Sequence, residues 1–399
     1  MSEGRPLQRW VLGFFVAGLA FSITLSESSL FLLALFWLWR LRTETTRVTL
    51  AFPLAGPVLA VAAATLLSAV RSEHPAASLV DAKGLLLLAI LYVLVDALPD
   101  VDAADRFLTG LFLLVTAHAG LSVIQVALCP REPVSLPLLA RFFHRCDRAH
   151  GFFSIYMTLA GVLNLVLLAT LPRFFAPPGE RRRWMVPAWA VSALGLILTL
   201  TRGAWLGFLA GATALSLVLR RLSALVAIVG ALLLTLLLFL PSGPLGGRFR
   251  NLEDPTTMRE RLYMWQSGLA IVRDHWLTGV GPGQVKAVYP RYARPEAVRK
   301  TTSHVHNTPL QIAAERGVLG LVAWLWLWLA FFVRGGRLLE RLGPAQAPER
   351  RLVAGSLAAV VGFLVAGLFE YNFGDSEVVM VAYAVMALPF VVERSLRSR

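Results

Sequence analysis

His306-Asn307-Thr308-Pro309-Leu310-Gln311-Ile312-Ala313-Ala314-Glu315-Arg316-Gly317-Val318-Leu319-Gly320 runs straight into Leu321-Val322-Ala323-Trp324-Leu325-Trp326-Leu327-Trp328-Leu329-Ala330-Phe331-Phe332-Val333. The second half is unbroken apolar sequence, and the first half closes the one long polar segment of the chain. An imidazole therefore stands at the mouth of a membrane span, where a histidine points to chemistry at the membrane surface.

Runs of this kind recur and decide the fold class. Of 399 residues 57% are hydrophobic and 16% charged, against about 45–50% and about 25% in soluble domains. Crossing ~30 Å of hydrocarbon takes about 20 residues, fewer when polar ends sit among the headgroups. Twelve runs qualify, at about 10–25, 29–41, 48–70, 84–98, 106–129, 151–171, 184–200, 203–219, 222–240, 317–333, 352–373 and 376–392. The expectation is an all-α polytopic membrane protein in three parts. Residues 1–240 hold about nine spans, 241–316 form a large outer loop with amphipathic helices and the histidine motif, and 317–399 hold about three more spans. No small-residue cleavage site follows the first span, so it reads as a retained helix and not a signal peptide.

Orientation follows from arginine, which is enriched in cytoplasmic loops. With the N-terminus inside, the inner loops carry Arg5 and Arg9, Arg40, Arg42 and Arg47, Arg173 and Arg181 to Arg183, Arg220 and Arg221, Arg334 to Arg351, and the tail Arg394, Arg397 and Arg399. Only the 99–105 loop, with Asp100, Asp102 and Asp105, departs from the pattern. Both termini read as cytoplasmic. Glu27, Glu73, His74, His144, Arg148, His150, Arg202, the 241–316 segment, Glu370, Asn372, Asp375 and Glu377 then gather on the outer face. In a bacterial inner membrane that face is the periplasm, where ATP and nucleotide sugars are absent.

Much of the net charge of +14 is this inner arginine, which sets topology and calls for no nucleic acid. The outer segments are basic too, with Arg131, Arg141, Arg145, Arg148, Arg202, Arg248, Arg250, Arg259, Arg261 and Lys300 among them. The guanidinium fork suits phosphate oxygens, so a phosphate or pyrophosphate site is the functional reading; a solvated face drawn to anionic lipid is the structural one. Cys129 and Cys146, the two cysteines, fall on the outer side. An oxidising compartment permits a disulfide between them; two free thiols are the alternative.

Within the large loop, Pro241 to Gly247 reads as a flexible exit and Asp254 as a cap with Pro255 at the first helical position. Met258, Leu262, Trp265, Leu269, Val272 and Trp276 follow at helical spacing. The helix is amphipathic, a membrane-surface element, a lid or a plain packing helix, with Arg261 flanking its apolar stripe. Gly279-Val280-Gly281-Pro282-Gly283 ends it in a turn and is no nucleotide loop, since no Lys-Ser/Thr follows. Asn307 or Thr308 can cap the next helix, which is expected to continue through Gly317 into the membrane. His306 thus precedes a helix N-terminus, which favours an anion and disfavours an imidazolium, leaving the neutral imidazole a general base must be. Gly317 and Gly320 read as a small-residue pair that lets a neighbouring helix approach. Arg202 opens a span with no acidic neighbour in sequence, a placement that normally lines a cavity or meets a partner; an interfacial arginine beside Trp205 is the bland reading.

These residues are similar to the O-antigen ligase and polymerase superfamily of lipopolysaccharide assembly. The ligase pattern H-[NSQ]-x(9)-G-x-x-[GTY] is met by His306, Asn307, Gly317 and Gly320. The Arg202-Gly203 start of a span, Arg261 to Trp265, and Asp274 to Gly283 also resemble it, with Trp276 where proline is frequent. The likeness is strong from about His150 to Asp375. It implies a GT-C-like glycosyltransferase without cofactor or metal that moves a glycan from undecaprenyl pyrophosphate to a sugar of lipid A-core at the periplasmic face. His306 would be the base, and Arg202 and Arg261 the partners of the leaving pyrophosphate. Arg148, Arg259, Lys300, His304 and Asn307 would be lesser contacts to substrate. His304 and His306, two residues apart, make a poor metal pair by themselves. A polymerase and a ligase acting on pilin share the superfamily. A transporter would need polar residues at the bilayer midplane and an internal repeat, and neither is evident.

Overall fold

The computed structural model describes residues 4–43, 52–130, 142–176, 183–221 and 255–397, with residues 135, 140 and 230. Every regular element among them is helical: α1 (Gly4–Phe21), α2 (Ile23–Thr43), α3 (Ala55–Arg71), α4 (Pro75–Asp81), α5 (Ala89–Ala97), α6 (Val101–Ala127), α7 (Tyr156–Thr170), α8 (Met185–Leu198), α9 (Arg202–Val218), α10 (Pro255–Asp274), α11 (Val285–Tyr292), α12 (Thr308–Arg341), α13 (Ala347–Gly367) and α14 (Ser376–Arg397). Seven segments are long and apolar enough to cross a membrane, and four shorter apolar helices accompany them. These correspond to eleven of the twelve expected runs, so the chain is an all-α polytopic membrane protein. The twelfth run, 222–240, the exit at 241–247, Asp254 as a cap, and Arg131, Arg141, Arg248 and Arg250 lie outside the described residues.

Helix α14 is the centre of the bundle, buried along almost its whole length. Phe331 of α12, Phe363 of α13 and Phe390 of α14 are fully buried with Phe15 and Phe112. In lipid such packing is held by dispersion and close fit more than by expulsion of water. One close crossing shows why the sequence folds this way. Gly203, Gly207 and Gly211, four apart, put one bare stripe of α9 against α13. A Cβ on Gly207 would lie 2.4 Å from the Gly362 carbonyl and one on Gly211 2.5 Å from that of Ala358. Only glycine admits this approach, and it sets Arg202 at the start of α9 beside Phe369 just past the end of α13, where a Cβ on Gly203 would lie 2.9 Å from that of Phe369.

Among the described residues, charged groups gather at the two ends of the bundle. At one, arginines find carboxylates and carbonyls: Arg40 with Asp96 at 3.0 Å, Arg173 with Asp105 at 2.8 Å, and Arg334 with Glu393 at 2.9 Å. Asp100 there caps α6 by accepting from the Ala103 N–H at 2.7 Å. Two carboxylates of the acidic 99–105 loop are thereby explained: Asp100 caps a helix and Asp105 pairs with Arg173. The other end carries residues 72–74, 142–153, 199–202, 255–307 and 368–375. It also carries a disulfide between Cys129 and Cys146, whose Cα atoms are 5.5 Å apart. The 142–153 segment is fastened there to α6, since Gln125 accepts from the His150 and Gly151 N–H groups and His118 Nε2 from that of Phe152. The Ala149 N–H donates to Leu198 at the end of α8.

Candidate active site

Asn307 begins the site. Its side-chain oxygen accepts from the Leu310 N–H at 2.9 Å and its amide donates to Leu368 at 3.0 Å, so one residue caps α12 and ties it to the end of α13. Thr308 adds a hydroxyl donated to the Glu370 carbonyl at 2.8 Å. His306, one residue before the cap, is held at φ 51°, a left-handed conformation few non-glycine residues adopt. These constraints turn its ring onto Glu370, with Nδ1 2.9 Å from Oε1 and 3.1 Å from Oε2.

Glu370 gathers three predicted site residues. His304 Nε2 lies 3.3 Å from Oε1 and Arg261 Nη2 3.9 Å from Oε2, besides His306. Burial alone would raise the Glu370 carboxyl, but the hydrogen bonds and charges of His304 and His306 hold it well below the usual carboxylate range. Its backbone is fixed from below. The neighbouring Tyr371 hydroxyl donates to Glu315 at 3.3 Å, and Glu315 in turn takes Arg316 at 2.6 Å and Gln311 at 2.8 Å. Burial, followed by the Glu315 charge, keeps the Tyr371 phenol above its ordinary value.

Helix α12 does not run smoothly through Gly317. The backbone there takes φ 64° and ψ −168°, which breaks the helix. A Cβ at Gly317 would lie 2.2 Å from the Leu277 carbonyl, and one at Gly320 2.2 Å from the Arg316 Cβ. The expected interhelical role of this pair is therefore corrected. Gly317 makes room for the 276–281 segment, whose Val280 and Gly281 N–H groups donate to Ala314 and Glu315 while Trp276 accepts from Val318, and Gly320 makes room for the Arg316 side chain of its own helix. The Gly279 to Gly283 turn forms as expected, with positive φ at all three glycines.

Helix α10 forms where its spacing predicts, with an unexpected orientation. Leu269 and Trp276 of the apolar stripe are 60% exposed, and the buried face is Met264, Ser267, Gly268 and Ile271. Met258 and Leu262 are exposed too, whereas Trp265 is half-buried and Val272 packs against the buried cluster of the loop, so the stripe divides between outward and inward faces. Arg261 projects from its flank to Glu370, and one turn on, the Trp265 indole N–H is buried without a partner among the described residues.

The remaining predicted residues divide. Arg202 is exposed at the start of α9, beside the 366–369 turn, and makes no ion pair among the described residues. Arg148 stacks its guanidinium 4.4 Å over the Tyr156 ring at the start of α7. From the same helix end Thr158 donates to Asp375 at 2.5 Å, five residues past Glu370. Arg259 is exposed on α10 without a contact to the cluster among the described residues. Lys300 is folded back, its ammonium on the Arg294 and Pro295 carbonyls at 2.9 and 2.7 Å. Sequence reasoning placed Glu370 on this face but missed its contact with His306, 64 residues away in sequence. An acidic residue flanked by apolar spans was the available signal.

His304, His306 and Glu370 each offer a ligand atom, all within 4.8 Å of one another, and are the group among the described residues that could hold a metal ion. A cavity of about 200 Å³ lies elsewhere, lined by Arg221, Arg350, Arg351, Phe175 and Leu219. It opens at the start of α13, roughly 30 Å of helix from the Glu370 turn, and has no part in this site.

Fold and site define the class: a polytopic all-α membrane protein with a histidine, carboxylate and arginine cluster at one end of its bundle. Residues 187–325 match the family described as O-Antigen ligase, so over that stretch the chain is similar to the O-antigen ligase superfamily. That stretch includes Arg202, Arg261, His306 and Gly320 and stops short of Glu370. No curated protein matches the chain.

Proposed function

We propose that this protein is an O-antigen ligase, which transfers a glycan from undecaprenyl pyrophosphate to a sugar hydroxyl of lipid A-core at the periplasmic face of a bacterial inner membrane. One observation carries the reading. His306, Arg261 and Arg202 come from three elements far apart in sequence, yet they share one end of the bundle around the Glu370 turn. In this reaction the acceptor hydroxyl attacks the anomeric carbon as the bond to pyrophosphate oxygen breaks, with inversion. The hydroxyl proton goes to His306 and the bonding electron pair leaves with the pyrophosphate. Arg202, exposed and without a carboxylate partner among the described residues, and Arg261 neutralise the charge that develops on those oxygens. Arg148, His304 and Asn307 line the approach, and Arg259 and Lys300 add positive charge farther out.

The compartment is supported by the Cys129–Cys146 disulfide at the same end, since such bonds persist in oxidising surroundings. A donor that carries its own leaving group suits a compartment without nucleotides. Ligase is favoured over polymerase by the full match of His306, Asn307, Gly317 and Gly320 to the ligase pattern.

The His306→Ala variant tests the assignment. Ligated lipopolysaccharide should form ~10²-fold more slowly or less, with the amount of protein in the membrane unchanged. Ligation at the wild-type rate would rule out the base. The reaction is read as metal-independent, so the assay contains EDTA throughout; loss of wild-type transfer on chelation would contradict that and implicate the His304, His306 and Glu370 group.

A further inference from the structure

We infer that Glu370 is a positioning residue that selects His306 over His304 as the base and fixes the nitrogen that takes the proton. The inference rests on the reading of His306 as the base. An ionised carboxylate only accepts hydrogen bonds, and a neutral imidazole has one donor and one acceptor nitrogen. Facing Glu370 at 2.9 and 3.1 Å, His306 Nδ1 must therefore carry the ring proton. Its Nε2 is left with a lone pair and has no partner among the described residues. His304 is turned the other way. Its Nε2 faces Glu370 at 3.3 Å and so carries the proton, while its Nδ1 is 3.0 Å from the Ser303 hydroxyl. One carboxylate thus sets opposite tautomers in two neighbouring rings, and only His306 presents a free basic nitrogen.

The carboxylate is built to hold this position. Oε1 accepts from the Tyr371 N–H at 3.1 Å, the Glu370 carbonyl accepts from Thr308, and Glu370 side-chain exposure is only 16%. When Nε2 takes the acceptor proton, the ring becomes an imidazolium whose charge lies directly against Glu370. Arg261 at 3.9 Å is at the limit of an ion pair, so the firmer coupling of Glu370 is to the base and not to the pyrophosphate arginine.

The test uses the purified full-length protein with an undecaprenyl-pyrophosphate-linked glycan and lipid A-core. Glu370→Gln should lower kcat by about 10²-fold while donor KM stays within about threefold and the melting temperature is close to wild type. In an H306A background the same substitution should slow transfer no further, because a residue acting only through His306 has nothing left to act on. Glu370→Asp, which keeps the charge and withdraws it by one methylene, should give an intermediate kcat; it reads the same point if the Gln form does not accumulate. Wild-type kcat in both Glu370 variants with an inactive H306A would overturn this inference and leave the base assignment standing. So would a loss in E370Q that adds in full to that of H306A, or a raised donor KM with kcat unchanged, which would tie Glu370 to Arg261. Wild-type turnover in H306A itself would remove the underlying reading instead.

Discussion

His306 is held in a left-handed backbone conformation, at a cost of about 1–3 kcal/mol that the surrounding contacts must cover. Asn307, Thr308 and Glu370 supply those contacts from both sides of the residue. The arginines differ from it in kind, because Arg202 is exposed and Arg261 is only loosely paired. If both hold pyrophosphate through paired donors, replacing either by lysine keeps the charge and loses the fork. Transfer by Arg202→Lys and by Arg261→Lys should then fall by the ~1.5–3 kcal/mol of a charged hydrogen bond, roughly ten- to a hundredfold. Undiminished transfer in both, measured with the same donor, would mean that they only anchor the chain at the interface, as a snorkelling lysine would do equally well. His306, the Asn307 cap, Arg202 and Arg261 were legible in the sequence because each has a local signature: a cap before an apolar run, a charge at the start of a span, a flank position on a helix. Glu370 had none that named its partner, since no periodicity links residues 64 apart.

Helices were legible from apolar run length, their inner faces much less so. On α10 the spacing gave a helix, yet much of the apolar stripe is exposed and the fully buried positions are Met264, Ser267, Gly268 and Ile271, because helical spacing alone does not say which side meets the neighbouring elements. The break in α12 was also hidden, since Gly317 reads equally as a small residue for helix contact. Its backbone angles are open only to glycine, so Gly317→Ala should cost about 1–3 kcal/mol in conformation alone, with a further clash against Leu277. The melting temperature and transfer rate should both fall. Gly336→Ala on the same helix, where a Cβ meets nothing within 4 Å, serves as the control and should be neutral or slightly stabilising. Equal stability of the two variants would show that the break is not a fixed part of the site.

Across the whole molecule, arginine is used in two ways. At one end it is matched by Asp96, Asp105 and Glu393; at the other, Arg291 is matched by Glu73 at 2.7 Å, whereas Arg202 and Arg148 make no ion pair among the described residues, at the end that also holds the half-buried His306–Glu370 pair. An end with unmatched guanidinium groups, a positioned base and a disulfide suits transfer from a lipid-linked pyrophosphate in an oxidising compartment. The direct measurement is on purified protein in lipid nanodiscs with EDTA, a single undecaprenyl-pyrophosphate-linked glycan and lipid A-core. Glycan should appear on the core and undecaprenyl pyrophosphate be released in equal amounts, and neither should occur with H306A. Glycan joined only to a second lipid-linked glycan, or no release of undecaprenyl pyrophosphate from the wild-type protein, would contradict the ligase assignment.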